Sequence, residues 1–194
     1  GSDLADAIDQ ANTATGGTGT VLTITAADTI TGSEANFTAL LTDEGNTQIA
    51  ITDQNLTVNT GEISVGNANL LDATTTGTVT ATIDANTSVD TLETLTGNHA
   101  YTITIGAADA TGKTAAEFNT INGKTTVAID ASVVTGLASD TVANIKTLLT
   151  AGNDTAQFTG ASFESIATAV VSDTTLSGSD LADAIDQANT ATGG

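Results

Sequence analysis

The sequence predicts an α/β solenoid, a right-handed stack of about seven helix–strand coils whose strands build one parallel β-sheet. Three observations lead there. First, Gly1-Ser-Asp-Leu-Ala-Asp-Ala-Ile-Asp-Gln-Ala-Asn-Thr-Ala-Thr-Gly-Gly17 returns letter for letter as residues 178–194, so one period runs over 1–177. Second, a short tag recurs within the period: Thr29-Ile-Thr-Gly32, Val58-Asn-Thr-Gly61, Asp109-Ala-Thr-Gly112, Val133-Val-Thr-Gly136, Gln157-Phe-Thr-Gly160 and Thr175-Leu-Ser-Gly178, with a degenerate copy at Asn86-Thr-Ser-Val89. Successive tags stand about 18 to 29 residues apart, with about 31 to the next expected tag, within the range of solenoid coils. Third, between tags the apolar spacing changes from a helical period to a period of two, always in that order.

The helical segments follow the tags. Leu4 with Ile8, Phe37 with Leu40 and Leu41, Leu92 with Leu95, Phe118 with Ile121, Val142 with Ile145, and Leu181 with Ile185 each give one buried stripe. Their starts are expected at Ser2-Asp3, Ser33-Glu34 and Ser139-Asp140, and at the capping box Thr114-Ala-Ala-Glu117. Loops at Thr76-Gly77 and Asn122-Gly123 come next. Strands are then expected at Val21–Ile24, Ile49–Ile51, Val79–Ile83, Tyr101–Ile105 and Val127–Ile129, where apolar residues alternate with small or polar ones. A helix between consecutive strands forbids antiparallel hairpins, so each strand should pair in parallel with the one a coil earlier. The coil from Ala161 to Gly178 is the short one; near Phe163-Glu-Ser-Ile166 it has room for a single helical turn or none. An all-β solenoid with short helical turns is the alternative architecture. In either case residues 1–194 read as one solenoid module: the period 1–177 plus the start of the next, 178–194.

Composition narrows the function. The chain of 194 residues has no cysteine, methionine, proline or tryptophan, and its formal net charge is −20 with only three lysines, Lys113, Lys124 and Lys146. Such a surface excludes nucleic acid as a partner and disfavours anionic membranes. No apolar run is long enough to insert in a membrane. The lysines fall in neighbouring coils, where they read as part of a solvated face that relieves the acidic field locally.

Candidate chemistry is sparse. His99, the single histidine, stands beside Tyr101 without a cysteine or a metal-ligand pattern nearby, and reads as a loop or strand-edge residue. Gly112-Lys113 and Gly123-Lys124 lack the earlier glycine of a phosphate loop, which is Ala107 in one case and Phe118 in the other. Carboxylates are plentiful. Asp3, Asp6 and Asp9 share a helix face, repeated as Asp180, Asp183 and Asp186; loop acids occur at Asp43-Glu44 and Asn153-Asp154; Asp28, Asp53, Asp84 and Asp130 end strands. Calcium could bind weakly to such groups, but no Asp-x-Asp-x-Asp-Gly loop exists and strand-end aspartates commonly cap turns. The pairs Thr23/Thr25, Thr80/Thr82 and Thr102/Thr104 suggest a threonine ladder of the kind that binds ice, broken at Ile49-Ala-Ile51 and Val127-Ala-Ile129. Sequons at Asn36, Asn55, Asn86 and Asn153 would matter only in a eukaryotic secretory chain. No catalytic, cofactor-binding or metal residue is assigned.

The cassette Thr114-Ala-Ala-Glu-Phe-Asn-Thr-Ile-Asn-Gly-Lys-Thr-Thr-Val-Ala-Ile-Asp-Ala-Ser-Val-Val-Thr-Gly136 resembles repeats of giant secreted or surface proteins of marine cyanobacteria, described as haemolysin-like or motility-associated. The resemblance implies a structural array outside the cell and no catalytic residues. The glycine-rich calcium nonapeptide of haemolysins is absent, so calcium-driven folding is not implied. The expectation is therefore a structural tandem-repeat module, secreted or at the cell surface, acting as spacer, stalk or filament. Its expected partners are adjacent repeats of the same array, and the chain alone should be a monomer without cofactor or enzymatic activity. The alternative is a solenoid that binds calcium, glycan or ice.

Overall fold

The computed structural model describes residue 6 and residues 22–24, 28–45, 49–159, 163, 166 and 169–191. They form a mixed α/β structure with parallel strand pairing, divided between two compact units: Gly1–Ile83 with His99–Tyr101, and Asp84–Asn98 with Thr102–Gly194. The expected anchors Leu4 and Ile8 and their start at Ser2-Asp3 lie outside the described residues, as do Val21, Thr25 and the side chains of Asp43 and Glu44.

In the first unit the order is β1 (Leu22–Thr23), β2 (Thr29–Ser33), α1 (Glu34–Gly45), β3 (Ile49–Ala50), β4 (Asn55–Thr60), α2 (Val65–Thr74), β5 (Val79–Thr82) and the start of β6 (Ala100–Thr102). β1 pairs with β3, and a separate sheet runs in the order β2-β4-β5-β6. Ile30 stands opposite Leu56 and Leu56 opposite Val79, all in parallel register. These residues are buried, with Tyr101 on β6, while their strand neighbours Thr31 and Thr80 are exposed. Alternation along each strand thus makes one core face and one wet face.

Three results here depart from the sequence reading. The tags Thr29–Gly32 and Val58–Thr60 are themselves strand, and they lie in the longest strands of this unit. β2 therefore pairs with the tag strand β4, whereas Ile49-Ala-Ile51 contributes to the other sheet. Helix α2 was not anticipated. Its sequence carries Gly66, Asn67 and Asn69, and its buried stripe is Val65, Ala68 and Leu71, whereas the conspicuous Leu70 points outward at 54 % exposure. A small alanine at the centre of the stripe leaves little periodic signal for a helix.

The second unit contains α3 (Val89–Leu92), a 3₁₀ turn (Ala107–Asp109), α4 (Ala115–Asn122), β7 (Ile129–Asp130), α5 (Val142–Gly152), β8 (Phe158–Thr159) and α6 (Gly178–Ala191). β7 pairs with β8 in parallel, and parallel bridges join Thr104 to Asp130, Lys113 to Leu137 and Asp140 to Val171. Each bridge joins a residue to one in the next helix–strand segment of the chain. α4 lies against α5, and α5 against α6. Phe118, Ile121, Ile129, Ile145 and Phe158 fill the interior. Phe163 completes it, edge-on to Phe118 at 5.4 Å and to Phe158 at 5.0 Å between ring centroids. Phe163 has φ +65°, in the left-handed region, so the short coil turns sharply there; Glu164 and Ser165 lie outside the described residues.

Helix starts follow the capping chemistry with one correction. Thr114 and Glu117 form the expected capping box. Ser33 Oγ accepts from Asn36 N–H, and Asn36 Oδ1 accepts from Ser33 N–H, giving the same reciprocal cap with Asn in the acid's place. α5, however, begins behind Thr141 rather than at Ser139-Asp140. Asp140 is drawn to another helix.

Candidate functional site

The most repetitive chemistry in the molecule is a set of carboxylates placed over helix N-termini. The first N–H groups of a helix have no intrahelical acceptor and carry partial positive charge. In the second unit each of three helices meets that need twice. The local cap is a hydroxyl: Ser88 for α3, Thr114 for α4 and Thr141 for α5, accepting from Thr91, Glu117 and Asn144 N–H respectively, each at 3.3 Å. The second acceptor is an aspartate from the following coil. Asp109 Oδ2 accepts from Val89 N–H at 2.8 Å, Asp140 Oδ2 from Ala116 N–H at 2.7 Å, and Asp173 Oδ2 from Val142 N–H at 2.6 Å. The partners are separated by 20, 24 and 31 residues.

Asp140 shows how the carboxylate is held. Its Oδ1 accepts from Thr141 N–H at 2.7 Å and from Asn144 Nδ2 at 2.8 Å, in addition to the Ala116 bond on Oδ2. Burial pushes its pKa up, but the Asn144, Ala116 and Thr141 donors outweigh burial and hold the carboxyl below the ordinary aspartate value.

Lys113 adds the one concentrated charge cluster. Its ammonium lies 2.5 Å from Asp90 Oδ1, 3.7 Å from Glu117 Oε1 and 3.8 Å from Asp109 Oδ1. The hydrogen bond to Asp90 holds Lys113 above the usual lysine range, and the same bond holds the exposed Asp90 below the usual aspartate range. Both groups therefore stay ionised, which opposes any condensation between amine and carboxyl. Asp90, Glu93 and Glu117 also bring carboxylate oxygens within 4.8 Å of one another, the one such group among the described residues. Glu117 Oε2 already accepts from Thr114 N–H and Oγ1 at 2.6 and 2.7 Å, so a cation there would compete with both the capping box and Lys113. Lys146 pairs with Asp183 at 2.7 Å. Two of the three lysines thus quench carboxylates of neighbouring coils.

The other sequence candidates are separate from one another. Asp180, Asp183 and Asp186 are exposed on α6, and Asp180 is engaged by Ser177 Oγ at 2.6 Å. Asp6 is exposed; Asp3 and Asp9 lie outside the described residues. Asp53, Asp130 and Asp154 accept bonds from residues one to three positions on, as turn-capping aspartates do. His99 braces the first unit: Nδ1 accepts from Val79 N–H at 3.2 Å, so the neutral ring carries its proton on Nε2, which faces Asp72 Oδ1 at 2.5 Å. Its ring stands edge-on to the buried Tyr101 at 5.6 Å, where burial, then the Asp72 charge, push the phenol well above its ordinary value. Shallow grooves of about 440 and 360 Å³ separate α1 from α2 and α4 from α5, lined chiefly by Thr, Asn, Ala and Leu.

The threonine ladder needs correction. Thr31, Thr57 and Thr80 stand in register on β2, β4 and β5, without a break, because Ile49-Ala-Ile51 is not part of that sheet. The sequence pairs involving Thr23 and Thr25 missed this file; the tag residues Thr31 and Thr57 were the signal.

No protein-family model, no curated protein and no solved structure matches this chain.

Proposed function

We propose that the chain is a structural tandem-repeat module, a right-handed α/β solenoid that extends a long extracellular or cell-surface rod as spacer, stalk or filament. One observation carries the reading: within each unit, the parallel pairings step from one coil to the next, and in the second unit three aspartates tie a coil to its predecessor in the same way. An interface that repeats along the chain is what an extendable array requires. The 177-residue period and the resemblance to cyanobacterial surface repeats point the same way. With seven coils, a period advances the rod by roughly 34 Å at one strand spacing per coil. Lys113 and His99 are both engaged in contacts that tie segments together, Lys113 to Asp90, Asp109 and Glu117 and His99 to Val79 and Asp72, which supports a mechanical role.

Small-angle scattering of the chain tests this. An elongated profile that is unchanged by chelator or calcium is expected; a compact, near-spherical profile would refute it. A second reading, binding to an ordered hydroxyl surface such as ice or glycan, gains support from the unbroken Thr31, Thr57, Thr80 file. Thermal hysteresis that disappears in Thr57→Lys would favour it, and none at high protein concentration would remove the ice form of the reading. A glycan-array screen, with retention likewise lost in Thr57→Lys, decides the carbohydrate form.

A further inference from the structure

Two large apolar residues of α6 are conspicuously exposed, Leu181 at 41 % and Ile185 at 52 %. Leu181 and Ile185 border a cleft of about 180 Å³ whose walls include Ile145 and Leu149 of α5 and Val171. α6 therefore covers α5 with part of its apolar stripe and presents the rest to solvent. Scattered single exposures need no explanation, but two on adjacent turns of one helix, open beside an apolar cleft, do.

We infer that this face of α6 is the docking surface for residues 18–33 of a following copy of the same sequence. The inference rests on the tandem-repeat reading above and names the surface and its occupant. The occupant is fixed by the duplication. Residues 178–194 restate residues 1–17, so the sequence that belongs against α6 is the one that follows residue 17. It supplies Val21, Leu22, Ile24 and Ile30, an apolar set suited to Leu181 and Ile185.

A second feature singles out Asp28 in that segment. The stretch Asp28-Thr-Ile-Thr-Gly-Ser-Glu34 matches Asp173-Thr-Thr-Leu-Ser-Gly-Ser-Asp180 with a single insertion. Asp173 is the residue that reaches back to cap α5 at Val142 N–H. By the same geometry, Asp28 of the following copy caps the first N–H groups of α6, Gly178 and Ser179, whose local cap is Ser177 Oγ accepting from Asp180 N–H at 3.1 Å. The coil-to-coil carboxylate ladder then continues through the joint between copies.

The test joins residues 1–194 directly to a second copy of residues 18–194, so that 178–194 both close the first period and open the second. The chain has no cysteine, so Ile185→Cys is a clean reporter, with Leu181→Cys as a second reporter beside the same cleft. Thiol labelling of both should slow by about tenfold or more in the tandem relative to the single chain, as for a site reached only by local opening. Equal rates in the tandem and the single chain at both reporters would overturn the inference. In the tandem, Asp28→Asn in the second copy should accelerate amide exchange at Gly178 and Ser179; no change would remove the carboxylate part. Scattering from the same tandem separates the two readings: an extended but unprotected tandem sinks the docking surface alone, and a protected but compact one sinks the rod alone.

Discussion

Asp140 and Gly77 show how single atoms hold together segments that are distant in sequence. Asp140 is buried and its carboxylate meets three donors, so Asp140→Asn would turn an NH₂ group toward an N–H it now accepts from. A loss of about 1.5–3 kcal/mol at neutral pH is expected, since bonds to a buried charge are being removed. The sign of the pH dependence follows from the lowered pKa. Stability from Asp140 is present above the unfolded value of 3.8 and is lost as pH falls through the lower folded value. Urea titrations of the two proteins should therefore differ at pH 7 and converge in strong acid; a constant gap across that range would show that the carboxylate charge is not what matters. Gly77 acts by absence. A Cβ there would lie 2.5 Å from the Gln54 carbonyl oxygen and 2.8 Å from that of Asp53, both backbone atoms. Thr75 Oγ1 holds this close approach, donating to Gln54 O at 2.6 Å while accepting from Gly77 N–H at 2.9 Å. Gly77→Ala should cost about 1–3 kcal/mol by overpacking, read as a lower urea midpoint. The sequence marked Thr76-Gly77 as a loop but gave no hint of the tight approach, because the partner lies a coil away.

At the scale of elements, what was legible is what depends on neighbours in sequence. The Thr114–Glu117 capping box, the Phe118 and Ile121 stripe, and the strands around Val79 and Ile129 all involve residues within a few positions of each other. What was not legible depends on the coil before or after. Asp140 looked like a local helix start, yet its Oδ2 bond is to Ala116, 24 residues earlier. The tag strands β2 and β4 looked like punctuation because Thr-Gly and Asn-Thr-Gly are turn chemistry, and only pairing across the sheet makes them strands. α2 was lost because alanine fills the position where a larger residue would have given the period. Phe118 is the strongest element-scale test. It is fully buried and its ring meets Phe163 from the short coil. Phe118→Ala should lower stability by roughly 3–5 kcal/mol. Hydrogen exchange should rise in α4 and in α5 beside it, because each coil leans on the next. Acceleration confined to α4 would mean that the coils do not share stability.

For the whole molecule, the decisive quantity is the imbalance of charge. Twenty-three acidic residues face three lysines, and two of those lysines are already paired, Lys113 with Asp90 and Lys146 with Asp183. Salt weakens both repulsion and pairing, but there are far more repelling pairs than attracting ones, so the net effect of screening must favour the folded chain. The urea midpoint should therefore rise with sodium chloride as the Debye length shrinks from roughly 30 Å at 0.01 M to roughly 3 Å at 1 M. Calcium and magnesium, matched to sodium for ionic strength, should add only the modest extra stabilisation of divalent screening and should resemble each other. The Asp90, Glu93 and Glu117 group is the place where this could fail. If calcium there displaced Lys113, its effect would saturate, exceed that of magnesium and be reversed by chelator, and Glu93→Gln would abolish it. That outcome would turn an ion-pair cluster into a metal site and make calcium part of the fold. A monotonic rise common to both ions would leave the apolar stripes and the coil-to-coil carboxylates as the forces that hold the molecule, with salt acting only on its overall charge.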